Sequence, residues 1–302
     1  MVLETTLAPR PPYSLAASVR MRSDATRVFR EGLLTLVYEH AGEAALARVS
    51  QRHDGTLAVR IESGDTAAAL DHLRFMLAVD DDYSAFTRQF AEDPLLGPPI
   101  RAHRGLRPLR VATVTHALLK AVCGQLIQAK AARLLEARLL RLAGEPYEGL
   151  WLPPTRATFS RFSPAELEQH GLATRKGVAL IRISRELDLE QLRDVPSAGV
   201  ARRLERERGL GPWSAAMVAL HGLGRVDLGL VGDLGLIKIC SALRGRWADA
   251  DDTRELLQPY GEWAGLASVY LLASTGRAYG NPQGAARARF APRTSETGPL
   301  VH

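Results

Sequence analysis

At 302 residues and 32.9 kDa the chain is long enough to bury a substantial core and to divide into two or three domains. Its 46% hydrophobic and 24% charged residues are those of a globular protein, and no uninterrupted apolar run approaches the length of a membrane span. The net charge of +6, from 35 arginines and 4 lysines against 33 acidic residues, permits a polyanionic partner without proving one. Cys123 and Cys240 stand alone, which argues against structural zinc and an iron-sulfur cluster. With no apolar leader between Met1 and Arg22, a cytoplasmic protein is expected.

Leu15, Ala17, Val19 and Met21 alternate at strand period, and Leu33 to Tyr38 is an apolar β-like run. Ala45 to Ser50 and Leu57 to Ile61 flank Asp54-Gly55, a tight hairpin turn. Asp65 or Thr66 caps a helix reaching about Val79, with Leu70, Leu73 and Leu77 on one stripe. Residues 1–94 therefore predict a small α/β module with an antiparallel sheet. Pro94-Leu95-Leu96-Gly97-Pro98-Pro99 reads as an interdomain connection.

Helical signals dominate residues 95–283. Val114, Leu118, Ala121 and Val122 line one helix, and Ala131, Leu134, Leu135, Arg138 and Leu139 fit a second. Ser163-Pro164-Ala165-Glu166 is a capping box, and Gly171 ends its helix. Arg175 to Leu187 and Asp188 to Arg193 continue in short helices, and later helices are expected around Leu234 to Leu243, Thr253 to Leu257 and Glu262 to Ser274. Residues 284–302 read as a mobile tail. The fold class is α+β.

The most informative segment is Gly209-Leu210-Gly211-Pro212-Trp213-Ser214-Ala215, followed by Gly232-Asp233. A helix over Val200 to Arg208, two glycines supplying positive φ and bare backbone, and Pro212 opening a second helix to about His221 form a hairpin at about 199–221. Such a turn directs main-chain N–H groups outward, where they attract phosphate without reading sequence. Taken alone, Gly-x-Gly-Pro reads first as a plain helix-helix connection, and the rest of the chain reverses that preference.

These residues, with the downstream aspartate, resemble the helix-hairpin-helix DNA glycosylases. Adding Ile237-Lys238, Gly124-Gln125-Leu126-Ile127 and Arg175-Lys176-Gly177-Val178-Ala179-Leu180 behind an N-terminal α/β module, the chain is similar to the bacterial 3-methyladenine DNA glycosylase II (AlkA) family. The resemblance implies a two-lobed, all-helical body, duplex DNA with alkylated bases as partner, a monomer, and no redox or organic cofactor. It also implies that a monovalent cation sits at hairpin carbonyls. Trp213 stands where strand-cutting relatives carry a Schiff-base lysine, so a monofunctional enzyme is expected.

A flipped base must be replaced in the duplex, and Leu126 is the candidate wedge, although a core position suits Leu126 and Ile127 equally well. Gln125, Gly209, Leu210, Gly211 and Ser214 are the other candidate DNA-binding residues. Breaking the glycosidic bond develops positive charge on the sugar, and Asp233 is the candidate carboxylate opposite it, compatible with a role as helix cap. Asp227 reads as structural, and Asp251 and Asp252 as solvated or capping. A cationic alkylated base attracts electron-rich rings, for which Trp213 and Trp263 lead, with Tyr260 and Tyr270 behind them. His221 reads as surface or structural. Met217 and Leu234 stand where bulkier rings would narrow a pocket. The remaining readings are an oxidised-purine glycosylase of the same superfamily and a non-catalytic hairpin module that binds DNA; the second would not need Asp233.

Overall fold

The computed structural model describes residues 1–19, 24–40 and 42–274; the tail expected at 284–302 lies outside them. The chain begins β1 (Val2–Leu7), α1 (Leu15–Val19), β2 (Arg27–Arg30), β3 (Leu33–His40), β4 (Glu43–Gln51), β5 (Leu57–Glu62) and α2 (Thr66–Met76). The strands form one antiparallel sheet in the order β1-β5-β4-β3-β2. The β4–β5 turn is the expected one: Gly55 adopts a φ of +86°, and Asp54 Oδ1 accepts from the Thr56 N–H and hydroxyl. Two-residue alternation gathers Ala45, Ala47, Val49, Leu57, Val59 and Ile61 on one buried face, against which α2 packs Ala69, Leu73 and Met76. Asp65 caps α2, accepting from the N–H groups of Ala67 and Ala68.

The strand expected from Leu15 onward is instead a helix. Leu15, Ser18 and Val19 are its buried residues, and that three-and-four spacing belongs to a helix face rather than a pleat. β1 and β2 carry too many polar residues to be read as strands, and they form because each pairs with an apolar neighbour, β5 and β3 respectively.

Then follow α3 (Ser84–Gln89), α4 (Gly97–Ala102), α5 (Val114–Gly124), α6 (Ala129–Ala143), the short hairpin β6 (Pro146–Tyr147) and β7 (Leu150–Trp151), α7 (Arg156–Ser160), α8 (Pro164–Gln169) and α9 (Thr174–Glu186). After a 3-10 turn at Leu189–Asp194 come α10 (Ser197–Glu205), α11 (Pro212–Val218), which continues as a wider π turn over Ala219–Leu223, α12 (Leu234–Arg244), α13 (Ala250–Leu257) and α14 (Ala264–Ala273). Two cores hold the helices. One gathers α5 to α10 around Leu118, Val122, Leu140, Phe159, Leu180 and Val200. The other joins α12 to α14 with Tyr83, Phe86, Phe90, Leu95, Leu96 and Ile100. The Pro94–Pro99 segment is thus a packed part of the second core and not a linker, so the packing does not divide at residue 94. α11 is a wall shared by both: Ala215 and Val218 face the first core, Ala216 and the following Leu220 the second.

Buried charge fixes the joints. Arg107, 2% exposed, donates to the carbonyls of Ala78, Asp81, Arg10 and Pro12 and lies between the rings of Tyr13 and Tyr83. Between α5 and α6, Glu136 is buried with His116 Nε2 at 3.1 Å and Lys120 Nζ at 2.8 Å, and Asp24 stands close by. Spacing alone hid this grouping of Asp24, His116 and Glu136, whose ligating atoms lie within 4.8 Å of one another. Its carboxylates face Lys120 and Arg27, so the charges are already balanced.

Burial alone would raise the Glu136 pKa, but Lys120 and His116 overcome it and hold the group below its ordinary 4.5. A depressed carboxylate pKa contributes stability above pH 4.5, and that stability is lost as pH falls toward the folded value. Glu136→Gln leaves Lys120 uncompensated and is expected to cost on the order of 3 kcal/mol at neutral pH. Thermal unfolding against pH should show the gap between wild type and variant closing below pH 4.5.

Candidate active site

The hairpin closes as the sequence implies, with one correction. Gly209 adopts a φ of +97°, whereas Gly211 is at −115° and needs no positive φ. A Cβ on either glycine would meet nothing within 4 Å. Their faces are therefore bare backbone open to the outside. Leu210, 5% exposed, commits its side chain to the first core, so it anchors the turn and is not a free contact group. Ser214 is buried, and its hydroxyl accepts from Gln125 Nε2 at 3.0 Å. Gln125 Nε2 also donates to the Gly209 carbonyl at 2.6 Å. These two polar side chains are thus spent on each other and on the turn.

Asp233 lies at the N-terminus of α12 and caps it. Oδ1 accepts from Gly235 N at 2.7 Å and Leu236 N at 3.4 Å, while Oδ2 accepts from Trp213 Nε1 at 3.0 Å. Capping and fixed orientation are one arrangement: N–H groups from two elements converge on a single carboxylate. Trp213 is in turn pressed against α5, where a Cβ on Gly124 would stand 2.7 Å from the indole Cη2. Gly235 is bounded in the same way, since its Cβ would meet Leu272 Cδ2 at 2.4 Å and Asp233 Oδ1 at 3.1 Å.

Trp213 and Asp233 line a cleft of about 1170 Å³ with Leu126, Met217, Val269 and Leu272. The other three proposed pocket rings do not line it. Trp263 packs edge-on to Tyr83 and tilted against Phe86. Tyr260 is buried against Phe90, its hydroxyl 3.3 Å from Asp93, and Tyr270 donates to the Leu106 carbonyl. Tyr260 and Tyr270, with their hydroxyls satisfied, stand in the second core, and Trp263 is partly buried against it. α14 turns Val269, Leu272 and Ala273 to the cleft instead. That three-and-four spacing was available in the sequence but carried no chemistry to single it out.

Leu126 is 88% exposed, which excludes the core reading, and its φ of +58° places it in the left-handed region. A leucine there stores about 1–2 kcal/mol of strain. Among the other acids, Asp227 accepts from Ser197 at 2.9 Å, Asp251 pairs with Arg254, and Asp252 is held by Arg244 and Arg246. His221 is buried, not on the surface, with Nδ1 3.4 Å from the Leu109 carbonyl. All four lysines of the chain, Lys120, Lys130, Lys176 and Lys238, line the cleft, a bias that their scatter along the sequence concealed. Among the described residues no helix is long and apolar enough to cross a membrane.

The glycines separate by cause. Gly209→Ala is expected to lose about 1 kcal/mol or more through its positive φ, and Gly124→Ala to lose stability by displacing the indole, whereas Gly211→Ala should lose least, only what a poorer N-cap costs. Thermal unfolding of the three variants measures the order.

No family model matches the chain. It is 29% identical over 204 residues to a DNA-3-methyladenine glycosylase of Bacillus subtilis, covering 64% of this chain and 67% of that one. It is 28% identical over 189 residues to a protein of Mycobacterium tuberculosis described as a probable bifunctional transcriptional activator/DNA repair enzyme AlkA, a match covering 61% of this chain and 38% of that one. Among solved structures, a 3-methyladenine DNA glycosylase from Archaeoglobus fulgidus superimposes with a TM-score of 0.77 at 21% identity, over 90% of this chain and 97% of the other. The 8-oxoguanine glycosylase/lyase of Clostridium acetobutylicum, solved with double-stranded DNA, gives 0.75 at 18% identity, over 91% and 97%. The chain is therefore similar in sequence to proteins named DNA-3-methyladenine glycosylase and AlkA, and it shares its fold with solved 3-methyladenine and 8-oxoguanine DNA glycosylases.

Proposed function

We propose that this protein excises alkylated bases from duplex DNA by hydrolysing the N-glycosidic bond, leaving an abasic site. The observation that carries the reading is the carboxylate of Asp233, fixed by Trp213 and the first turn of α12 at a cleft with an exposed leucine on its lining. A pure DNA-binding hairpin has no use for that convergence.

The steps follow from the residues. The bare backbone at Gly209 and Gly211 meets phosphate, with Lys130 and Lys238 on the cleft lining supplying charge. Leu126 enters the space vacated by the target nucleotide and offsets part of the few kcal/mol that unstacking costs. The base enters the cleft beside Trp213, whose ring attracts an alkylated, cationic purine through its face. Such a base leaves without a general acid. As the bond lengthens, Asp233 stands against the positive sugar and orients the attacking water. The hydrolysis takes water alone and no redox or organic cofactor, and a single chain supplies every residue named.

Alkylated substrates are favoured over oxidised purines with strand cutting because a tryptophan, not an amine, occupies position 213. Apart from the imidazoles of His103 and His221, Trp213 is the one aromatic ring among the described residues lining the cleft, and the non-aromatic Met217, Leu234, Val269 and Leu272 on the same lining suit a permissive range of alkylated bases.

Methylated duplex DNA incubated with wild type should release free 3-methyladenine and 7-methylguanine and accumulate abasic sites, and Asp233→Asn should reduce the rate by roughly 10²–10³. No release by wild type would overturn the enzyme reading; equal release by both would overturn only the role of Asp233. Release of 8-oxoguanine with strand cutting would favour the oxidised-purine reading. Gly211→Ala should weaken binding of undamaged duplex by more than its small N-cap cost to thermal stability accounts for, because its added methyl meets nothing in the chain and obstructs what approaches from outside.

A further inference from the structure

Leu126 poses a physical problem that its role as a wedge does not solve. A leucine at a φ of +58° with 88% of its surface in water gains nothing locally from that pose. Released, the loop would relax to an ordinary backbone conformation and its side chain would seek apolar cover. Something outside residue 126 holds it.

The restraints converge on the residue immediately before it. The Gln125 side chain donates to the Gly209 carbonyl at 2.6 Å and to the Ser214 hydroxyl at 3.0 Å, tying the loop to the hairpin. From the opposite side Lys176 of α9 donates Nζ to the main-chain carbonyl of Gln125 at 2.8 Å. One step earlier, Gly124 is closed in by the Trp213 ring. Lys176 is partly withdrawn from water, and that burial lowers its pKa, so its ammonium gives up hydration where it meets a neutral carbonyl. A lysine kept only for long-range attraction to DNA would stay solvated.

We propose that Lys176 and Gln125 are positioning residues that hold the Leu126 loop in its strained, outward pose and lock it to the phosphate-gripping hairpin, so that grip and wedge move as one body. The inference rests on the reading of Leu126 as the wedge. Its consequence is specific. Loss of either restraint lets the loop populate relaxed conformers and lowers the fraction competent to insert, which slows extrusion of a paired base. A base that is already unstacked needs no wedge, and its hydrolysis at Asp233 is not governed by the loop.

The test compares Lys176→Met, which keeps the apolar stem and removes the donor, and Gln125→Leu with wild type. Single-turnover release is measured for one methylated base, fully paired in one duplex and placed in an unpaired bubble in another. The paired-over-bubble rate ratio should fall about tenfold in each variant, and Lys176→Arg should recover part of the loss. Combined with Leu126→Ala, neither substitution should lower the ratio further, because the restraint and the wedge form one unit. An unchanged ratio, whether from full activity on both substrates or from equal loss on both, would overturn the proposal; equal loss is the outcome if Lys176 is a phosphate contact or if the fold is damaged. So would additivity with Leu126→Ala. Absence of release by wild type from either substrate would overturn the glycosylase reading itself.

Discussion

Everything in the cleft is organised around the carboxylate of Asp233. Its oxygens take N–H groups from Gly235, Leu236 and Trp213, so it belongs at once to the start of α12 and to the hairpin helix. Hydrogen bonds to a charged acceptor are roughly twice as strong as neutral ones, and two of these come from a helix N-terminus, whose partial positive charge favours an anion. The same bonds dictate small residues around them. Position 124 must be glycine because the indole that reaches Asp233 lies against α5, and position 235 must be glycine because Leu272 and the carboxylate fill its surroundings. The acid is held by packing as much as by hydrogen bonding, and the packing comes from both helical cores.

What the sequence revealed divides along a physical line. Features whose cause is local were legible: the Asp54-Gly55 turn, the caps at Asp65 and Ser163, Pro212 opening its helix, and Asp233 as an N-cap were all readable from neighbouring residues. Features settled by distant partners were not. β1 and β2 exist because β5 and β3 offer them edges, and Leu15 to Val19 turned helical because tertiary packing overrode an alternation only a few residues long. The error at the site has the same origin. Trp263, Tyr260 and Tyr270 carry the right chemistry for a base pocket, but the α3–α4 segment supplies Tyr83, Phe86 and Phe90 to receive them in the second core. The sequence placed those three receiving rings in the N-terminal module ahead of a connection at Pro94–Pro99, so their demand for aromatic partners was invisible.

The N-terminal sheet is joined to the helices by buried arginines more than by a broad apolar seam. Arg107 satisfies carbonyls from two separate stretches of chain, and Arg110 reaches both the Phe75 carbonyl and Asp81. Carbonyls at the ends of loops would otherwise be buried without donors, and a planar guanidinium with five N–H groups meets several of them at once. Part of the chain's arginine excess is therefore structural, which weakens net charge as an argument for a polyanionic partner. The lysines argue differently: all four line the cleft, and although Lys120 is paired with Glu136 and Lys176 with the Gln125 carbonyl, Lys130 and Lys238 stand there too.

α11 connects these observations. As the wall between the two cores it cannot shift without disturbing both, and it carries Trp213 on one turn and the hairpin glycines at its start. Gly209 is explained from inside the molecule by its positive φ. Gly211 has no such strain: its backbone is extended and nothing crowds its missing side chain, so what the chain itself asks there is only a residue that suits a helix N-cap. As N-cap, Gly211 suits the start of a rigid helix whose first turn carries Trp213, and its bare outer face is open to whatever docks there. Bare backbone at that point lets a phosphate approach to hydrogen-bonding distance, and the rigidity of the wall carries the position of that phosphate to Trp213 and Asp233. Grip and chemistry are then set by one helix, and the distance between the bound backbone and the carboxylate becomes a property of the fold.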